Sequence, residues 1–179
     1  MLDPAIEHVL RGSLALLLAS GAIGKARDLP RFRAVVEGYE ILPARLAGAA
    51  ALGFALAEGA LAAALVAPLA RGAALVATAA LFALYAVAIA VNLGRGRREI
   101  DCGCGGAAAH VPLSGWLLAR NAGLVAMALA CRAGTTERAL GLLDGFAIAA
   151  AIAVLACLWI AVHGLLAHEA ELHRMQEDV

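Results

Sequence analysis

The amino-acid sequence predicts an all-α protein, a polytopic membrane helical bundle of about five transmembrane helices with a short interfacial helix. Three observations predict it. Of the 179 residues, 63% are apolar and 16% charged, against about 45–50% and about 25% in soluble domains. The mean hydropathy is +0.86, which leaves little polar surface to face water. Apolar windows of about 20 residues, enough to cross ~30 Å of hydrocarbon at about 1.5 Å per residue, recur along the chain. Residues 1–179 are expected to form a single membrane-embedded domain.

The expected spans are residues 5–23, 44–68, 72–93, 113–131 and 143–167. The first lacks a basic amino-terminal region, opens with Asp3 and Glu7, and carries Arg11 inside the apolar run. It is therefore expected to stay as a helix rather than act as a cleaved signal peptide. Pro43 and Pro68 bracket the second span, and Gly94 is a plausible stop for the third. Between the first two spans, Phe32, Val35, Val36 and Tyr39 fall at i, i+3, i+4 and i+7. That spacing predicts a short amphipathic helix over 31–42, lying in the membrane interface as a connector or as a lid built on Phe32 and Tyr39. Ala and Gly dominate the apolar residues, which suits close backbone approach between helices in lipid.

Lys+Arg and Asp+Glu balance at 14 each. With no basic stripe or stacking platform, nucleic acid is not a partner; the lipid bilayer is. Five spans put the 24–43 loop, the 94–112 loop and the carboxy-terminal tail on one face. That face holds Lys25, Arg27, Arg31, Arg33, Arg95, Arg97, Arg98 and Arg174, with Arg45 adjoining; the other holds Arg71, Arg132 and Arg138. The positive-inside rule makes the basic face cytoplasmic.

Chemistry concentrates in the run Cys102-Gly103-Cys104-Gly105-Gly106. Two thiols one residue apart can close a small, exchange-prone ring, and glycine supplies the backbone angles such a ring needs. Arg97 and Arg98 favour a thiolate there, while Glu99 and Asp101 oppose it. Redox exchange, metal binding with His110, and an inert loop all remain open; no metal site is assigned, because three ligands leave a structural zinc incomplete. Cys131 sits ~27 Å of helix away, too far for the ~7 Å a disulfide allows, and Cys157 is expected to be a packing residue. His163, His168 and His173, spaced by five, do not form a ligand pair on one helix face.

Glu58 lies near the middle of the second span, where an acidic side chain is unfavourable by roughly 2.5–3.5 kcal/mol. Arg11 lies at a comparable depth by helix rise, so Arg11 and Glu58 are expected to form a buried charge pair. Its role is structural register, or a proton or quinone-oxygen site, which makes a quinone the candidate cofactor. Arg120, near Asn121, is expected to snorkel to the interface as an anchor.

Taken together, Lys25, Phe32, Tyr39, Pro43, Glu58, Arg95-Gly96, Cys102-Gly103-Cys104 and Arg120-Asn121 resemble the methylamine-utilisation protein MauE family, within the wider MauE/DoxX-like membrane proteins. The likeness runs from about Lys25 to Asn121. It departs at Gly105, where the family usually has Phe. The resemblance implies a role in maturing an exported disulfide-containing protein, in the family the small subunit of methylamine dehydrogenase, beside an exported thioredoxin-like protein. The layout is also similar to that of vitamin K epoxide reductase-type enzymes, which implies a four-helix core with the cysteine pair at a helix start, under a lid, facing the exterior of the bacterial cytoplasmic (inner) membrane. That orientation opposes the Lys/Arg count. Two functions follow: a thiol–disulfide oxidoreductase acting through Cys102 and Cys104, or a non-catalytic scaffold or export factor that docks a thioredoxin-like maturation enzyme.

Overall fold

The computed structural model describes residues 2–67, 71–103 and 111–177, with side chains for all of these but Arg71, His163 and residues 166–177. The regular elements among the described residues are all helices: α1 (Pro4–Arg27), α2 (Leu29–Gly38), α3 (Ala44–Val66), α4 (Arg71–Gly94), α5 (Gly115–Ala130) and α6 (Leu142–Glu177). By length and composition α1, α3, α4 and α6 can each cross a membrane, while α5, at 16 residues, is a shorter apolar helix. The protein is thus a multi-pass membrane bundle, as its hydropathy predicts.

Four helices make the core. Leu14 and Leu18 of α1, Ala62 and Leu65 of α3, Leu75, Ala79 and Phe82 of α4, and Leu124 and Ala128 of α5 form one buried cluster. Helix α1 packs chiefly on α3, and α4 chiefly on α5. The α3 stripe shows why: Ala47, Ala51, Ala55, Glu58, Ala62 and Leu65 are its buried residues. Steps of three and four keep them on one face, and alanines there let α1 come close. Helix α6 lies outside, packed on α1, with Phe146, Val154, Leu158 and Ile160 exposed. Such a surface suits lipid.

Two ends are defined by contacts between connectors. At one, the Leu2 amide donates to the Gly134 carbonyl (2.9 Å) and the Thr136 amide to the Leu2 carbonyl (2.9 Å). Arg138 lies between Asp3 and Asp144. At the other, α2 lies against the connector between α4 and α5, held by Arg97–Glu40 and Arg31–Asp101 ion pairs at 2.7 and 3.3 Å.

Helix α6 runs on to Glu177, past the expected end at 167, and two helices beside the site also differ in extent from the sequence expectation. Helix α1 continues past Ile23 to Arg27, so Lys25 lies in a helical turn and not in a loop. Helix α2 begins at Leu29, because the Asp28 carboxylate accepts from the Arg31 amide and caps it, and ends at Gly38 instead of residue 42. Beyond it, Glu40 takes a left-handed φ of 48°, which turns the chain back toward Pro43 and α3.

Candidate functional site

The cysteine loop is folded by one carboxylate. Asp101 Oδ1 accepts from the Gly103 amide (3.2 Å) and the Val111 amide (3.4 Å), and Oδ2 accepts from Arg31. The Cys102 amide donates to the Val111 carbonyl at 2.9 Å. These bonds tie the two sides of the 104–110 segment together. Cys104 and His110 lie outside the described residues. Cys102 is disulfide-bonded and buried; Cys131 and Cys157 are thiols outside any disulfide. Cys157 is exposed on α6 rather than packed inside.

Helix α2 covers this loop. Gly103 takes φ +71°, a conformation glycine adopts without strain. A Cβ there would lie 3.0 Å from Val35 Cγ1 and 3.1 Å from Phe32 Cε2. The Tyr39 hydroxyl donates to the Cys102 carbonyl at 3.5 Å. Burial, with the Asp101 carboxylate second, pushes the Tyr39 phenol up to about 12, so it remains a neutral donor at physiological pH.

The cation beside the sulfur is Arg120. Its Nη2 lies 3.9 Å from Cys102 Sγ, and its guanidinium stacks 5.2 Å from the Trp159 ring centroid of α6. Helical side chains lean toward the helix amino terminus, which for α5 is the end bearing the cysteine loop. The side chain therefore leans in the direction a snorkelling arginine takes but meets Cys102, so the anchoring expectation is corrected. Arg97, expected to act on the thiol, is instead engaged with Glu40.

Glu58 also has a different partner from the one expected. Lys25 Nζ donates to both of its oxygens, at 2.8 and 2.7 Å, and the Tyr85 hydroxyl donates to Oε1 at 2.8 Å. Arg11 pairs with Glu7 one turn away, at 3.4 Å. The expected Arg11–Glu58 pair does not form, for two reasons. Lys25 is in the last turn of α1, where its side chain leans back into the bundle. One turn before it stands Gly21, where a Cβ would come within 2.9 Å of Glu58 Oε2. Missing bulk at Gly21 thus opens the slot the carboxylate fills. Lys25 Nζ further lies 5.1 Å from the Phe32 ring centroid and 5.8 Å from that of Tyr85.

These groups share one cavity of about 650 Å³. Lys25, Glu58 and Tyr85 line it, as do Cys102, Gly103 and Arg120, with Phe32, Val35, Val36 and Tyr39 of the α2 face between. The four residues that give α2 its amphipathic spacing all face this space. Asn121, buried with its amide on the Leu117 carbonyl at 2.7 Å, completes the α5 wall. Sequence reasoning missed Asp101 as the loop clamp and Lys25 as the ion partner; only the Gly21/Lys25 spacing of four hinted at the latter.

Residues 4–134 match the family model described as methylamine utilisation protein MauE. The chain is 40% identical over 154 residues to the methylamine utilization protein MauE of Paracoccus denitrificans, covering 81% of this chain and 82% of that one. It is 39% identical over 151 residues to its counterpart in Paracoccus versutus, covering 80% and 81%. With that of Methylophilus methylotrophus it shares 43% over 102 residues, 57% of this chain and 54% of the relative. No solved structure matches. With the family model spanning most of the bundle and relatives aligned over four fifths of their length, the chain belongs to the MauE family of multi-pass membrane proteins.

Proposed function

We propose that this protein is a membrane thiol–disulfide oxidoreductase that works through Cys102 and Cys104 in the maturation of an exported, disulfide-containing protein. One observation carries the reading: the Cys102 disulfide sits buried at the wall of a cavity, with a guanidinium 3.9 Å from its sulfur. A structural disulfide has no use for a cation at that position. A redox one does, because the leaving sulfur departs as a thiolate and a nearby cation stabilises it.

The exchange runs in two steps. A thiolate of a thioredoxin-like partner attacks Cys104, forming a mixed disulfide and releasing Cys102 as a thiolate beside Arg120. The partner's second thiol, deprotonated, then attacks the partner sulfur of the mixed disulfide and releases Cys104. Two electrons have entered this protein, the partner is oxidised, and the two thiol protons end on Cys102 and Cys104. Cys102 is assigned the inner role because it is buried under Phe32 and Tyr39. In this reading α2 is the lid, and the cysteine face looks out of the bacterial cytoplasmic membrane. The relatives' names point to methylamine utilisation, so the maturing protein is the disulfide-containing subunit of a methylamine dehydrogenase.

The test is trapping in cells. A thioredoxin-like partner lacking its second thiol should be held in a persistent mixed disulfide on Cys104, Cys104→Ser should abolish that adduct, and Cys131→Ala with Cys157→Ala should leave the exchange intact. If Cys102→Ser and Cys104→Ser each support full maturation, the oxidoreductase reading falls and the protein is a scaffold that docks the maturation enzyme.

A further inference from the structure

Electrons gathered on Cys102 and Cys104 must leave again, and the cavity behind Cys102 has two ends of different chemistry suited to their acceptor. One end is the sulfur with Arg120. The other is the Lys25–Glu58–Tyr85 cluster. A single aromatic ring separates them, since Phe32 touches Lys25 on one side and the Gly103 position on the other. We propose that the cavity binds a lipid-soluble quinone, with an oxygen on the Lys25–Glu58–Tyr85 cluster, its ring facing Cys102, and its tail leaving into the bilayer. The proposal rests on the redox reading of Cys102 and names its electron acceptor.

Stoichiometry supports it first. Returning the dithiol to the disulfide breaks two S–H bonds, forms one S–S bond and releases two electrons and two protons. A quinone takes up just these, forming two O–H bonds as it becomes the hydroquinone. The polar cluster suits both states. Lys25 has three N–H donors and places two on Glu58, which leaves one for a quinone oxygen. Once that oxygen is a hydroxyl, the Glu58 carboxylate is the acceptor beside it. An acyl chain would offer this cluster nothing.

Access supports it next. Ile41, Leu42, Leu84 and Ile160 line the cavity and are also exposed on the apolar outer surface. The opening therefore faces lipid rather than water, and admits a molecule that travels in the membrane. A volume of about 650 Å³ is within the ~300–1,000 Å³ of small-molecule sites.

The test uses the full-length protein in lipid nanodiscs with decylubiquinone as probe. The chain has two tryptophans, of which Trp159 lines the cavity and Trp116 lies exposed. Decylubiquinone should quench tryptophan emission saturably, and Trp159→Phe should remove that signal. Glu58→Gln should weaken binding at least tenfold. Because Glu58→Gln disturbs a buried ion pair, Tyr85→Phe and Ala88→Phe serve beside it. The first removes one hydroxyl and should weaken binding severalfold; the second fills the cavity and should abolish binding with the ion pair intact. Added without oxygen to the dithiol protein, one equivalent of decylubiquinone should return the disulfide and appear as hydroquinone. If partner exchange proceeds but quenching never saturates, the quinone site is refuted while the oxidoreductase reading stands. Saturable quenching without thiol oxidation refutes the acceptor role. If dodecanol displaces the probe as well as unlabelled quinone does, the cavity is an acyl-chain site and the proposal fails.

Discussion

Lys25 and Glu58 leave water together, and their neighbours show what that arrangement costs and how it is offset. Two charges moved into a low-dielectric interior lose several kcal/mol of hydration each. Here the carboxylate recovers much of it through three donated hydrogen bonds, two from Lys25 and one from Tyr85. Removing one partner strands the other charge, which typically costs about 3–5 kcal/mol. Lys25→Met and Glu58→Gln should each lower the melting temperature in detergent, and the double variant should recover part of the loss. Arg11→Met combined with Glu58→Gln should be additive, because Arg11 is held by Glu7; strong coupling there would contradict the pairing. The partner of Glu58 was hard to read from sequence because hydropathy windows report solubility in lipid, not helix length. Gly24-Lys25-Ala26-Arg27 ends an apolar run but breaks no helix, so Lys25 looked like loop charge. Arg120 yields a second prediction at this scale. A cation 3.9 Å from the sulfur favours the thiolate once Cys102 is reduced. Alkylation of the dithiol protein should follow the thiolate, and in Arg120→Met its pH midpoint should move up by about one pH unit. An unchanged midpoint would remove Arg120 from the mechanism.

Helix α2 and the cysteine loop act as a pair, and Gly103 is where they meet. Gly96 is a natural control, since it has φ +76° and a Cβ there would find nothing within 4 Å, whereas Gly103 has φ +71° and close neighbours. Gly96→Ala should cost only the left-handed conformation, about 1–2 kcal/mol. Gly103→Ala should cost more and push α2 away, so that Cys102 in the reduced protein alkylates faster. Equal behaviour of the two would mean that α2 does not cover the loop. The amphipathic face of α2 was legible because Phe32, Val35, Val36 and Tyr39 repeat at helical spacing. Its carboxy terminus was not, because the turn after Gly38 depends on Glu40 being held by Arg97, a contact 57 residues away in sequence. The opposite end is held differently. Asp3 caps α1 through the Ala5 amide and accepts from Arg138, and Arg138 foremost holds its carboxyl below the ordinary range. A depressed carboxylate stabilises the fold above its unfolded pKa, and that support fades as pH falls through the lower folded value. The 132–141 loop should therefore resist pepsin near about pH 5 and open below about pH 4. Asp3→Asn should be cleaved already at the higher pH.

At the scale of the whole molecule, hydropathy made the bundle legible and left its orientation undecided. The amino terminus and the 132–141 connector meet at one end. Helix α6 starts at that end, where Asp144 binds Arg138. It then runs 36 residues, about 54 Å at the helical rise. With the 16-residue α5 counted as a fifth crossing, the termini belong to opposite faces, and topology reporters fused at residues 2 and 179 should give opposite signals; matching signals would mean that α5 does not cross. Which face is which depends on competing forces. Removing buried Lys25 from the basic end still leaves Arg27, Arg31, Arg33, Arg45, Arg95, Arg97 and Arg98 there, and the positive-inside rule counts them regardless of acidic neighbours. Against this stands the state of Cys102. Disulfides persist in oxidising compartments and are reduced in the cytosol, and Cys102 is disulfide-bonded. Under the proposed exchange with an exported partner, the cysteine loop has to face outward, against the arginine count. Intact cells treated briefly with a permeant reductant, then with a membrane-impermeant maleimide, should show labelling of the 102–104 loop. A reporter at residue 2 should then be active on the cytoplasmic side. Labelling only after the membrane is breached would put the loop inside, where the arginines alone would have placed it, and its partner would have to be a cytosolic thiol protein.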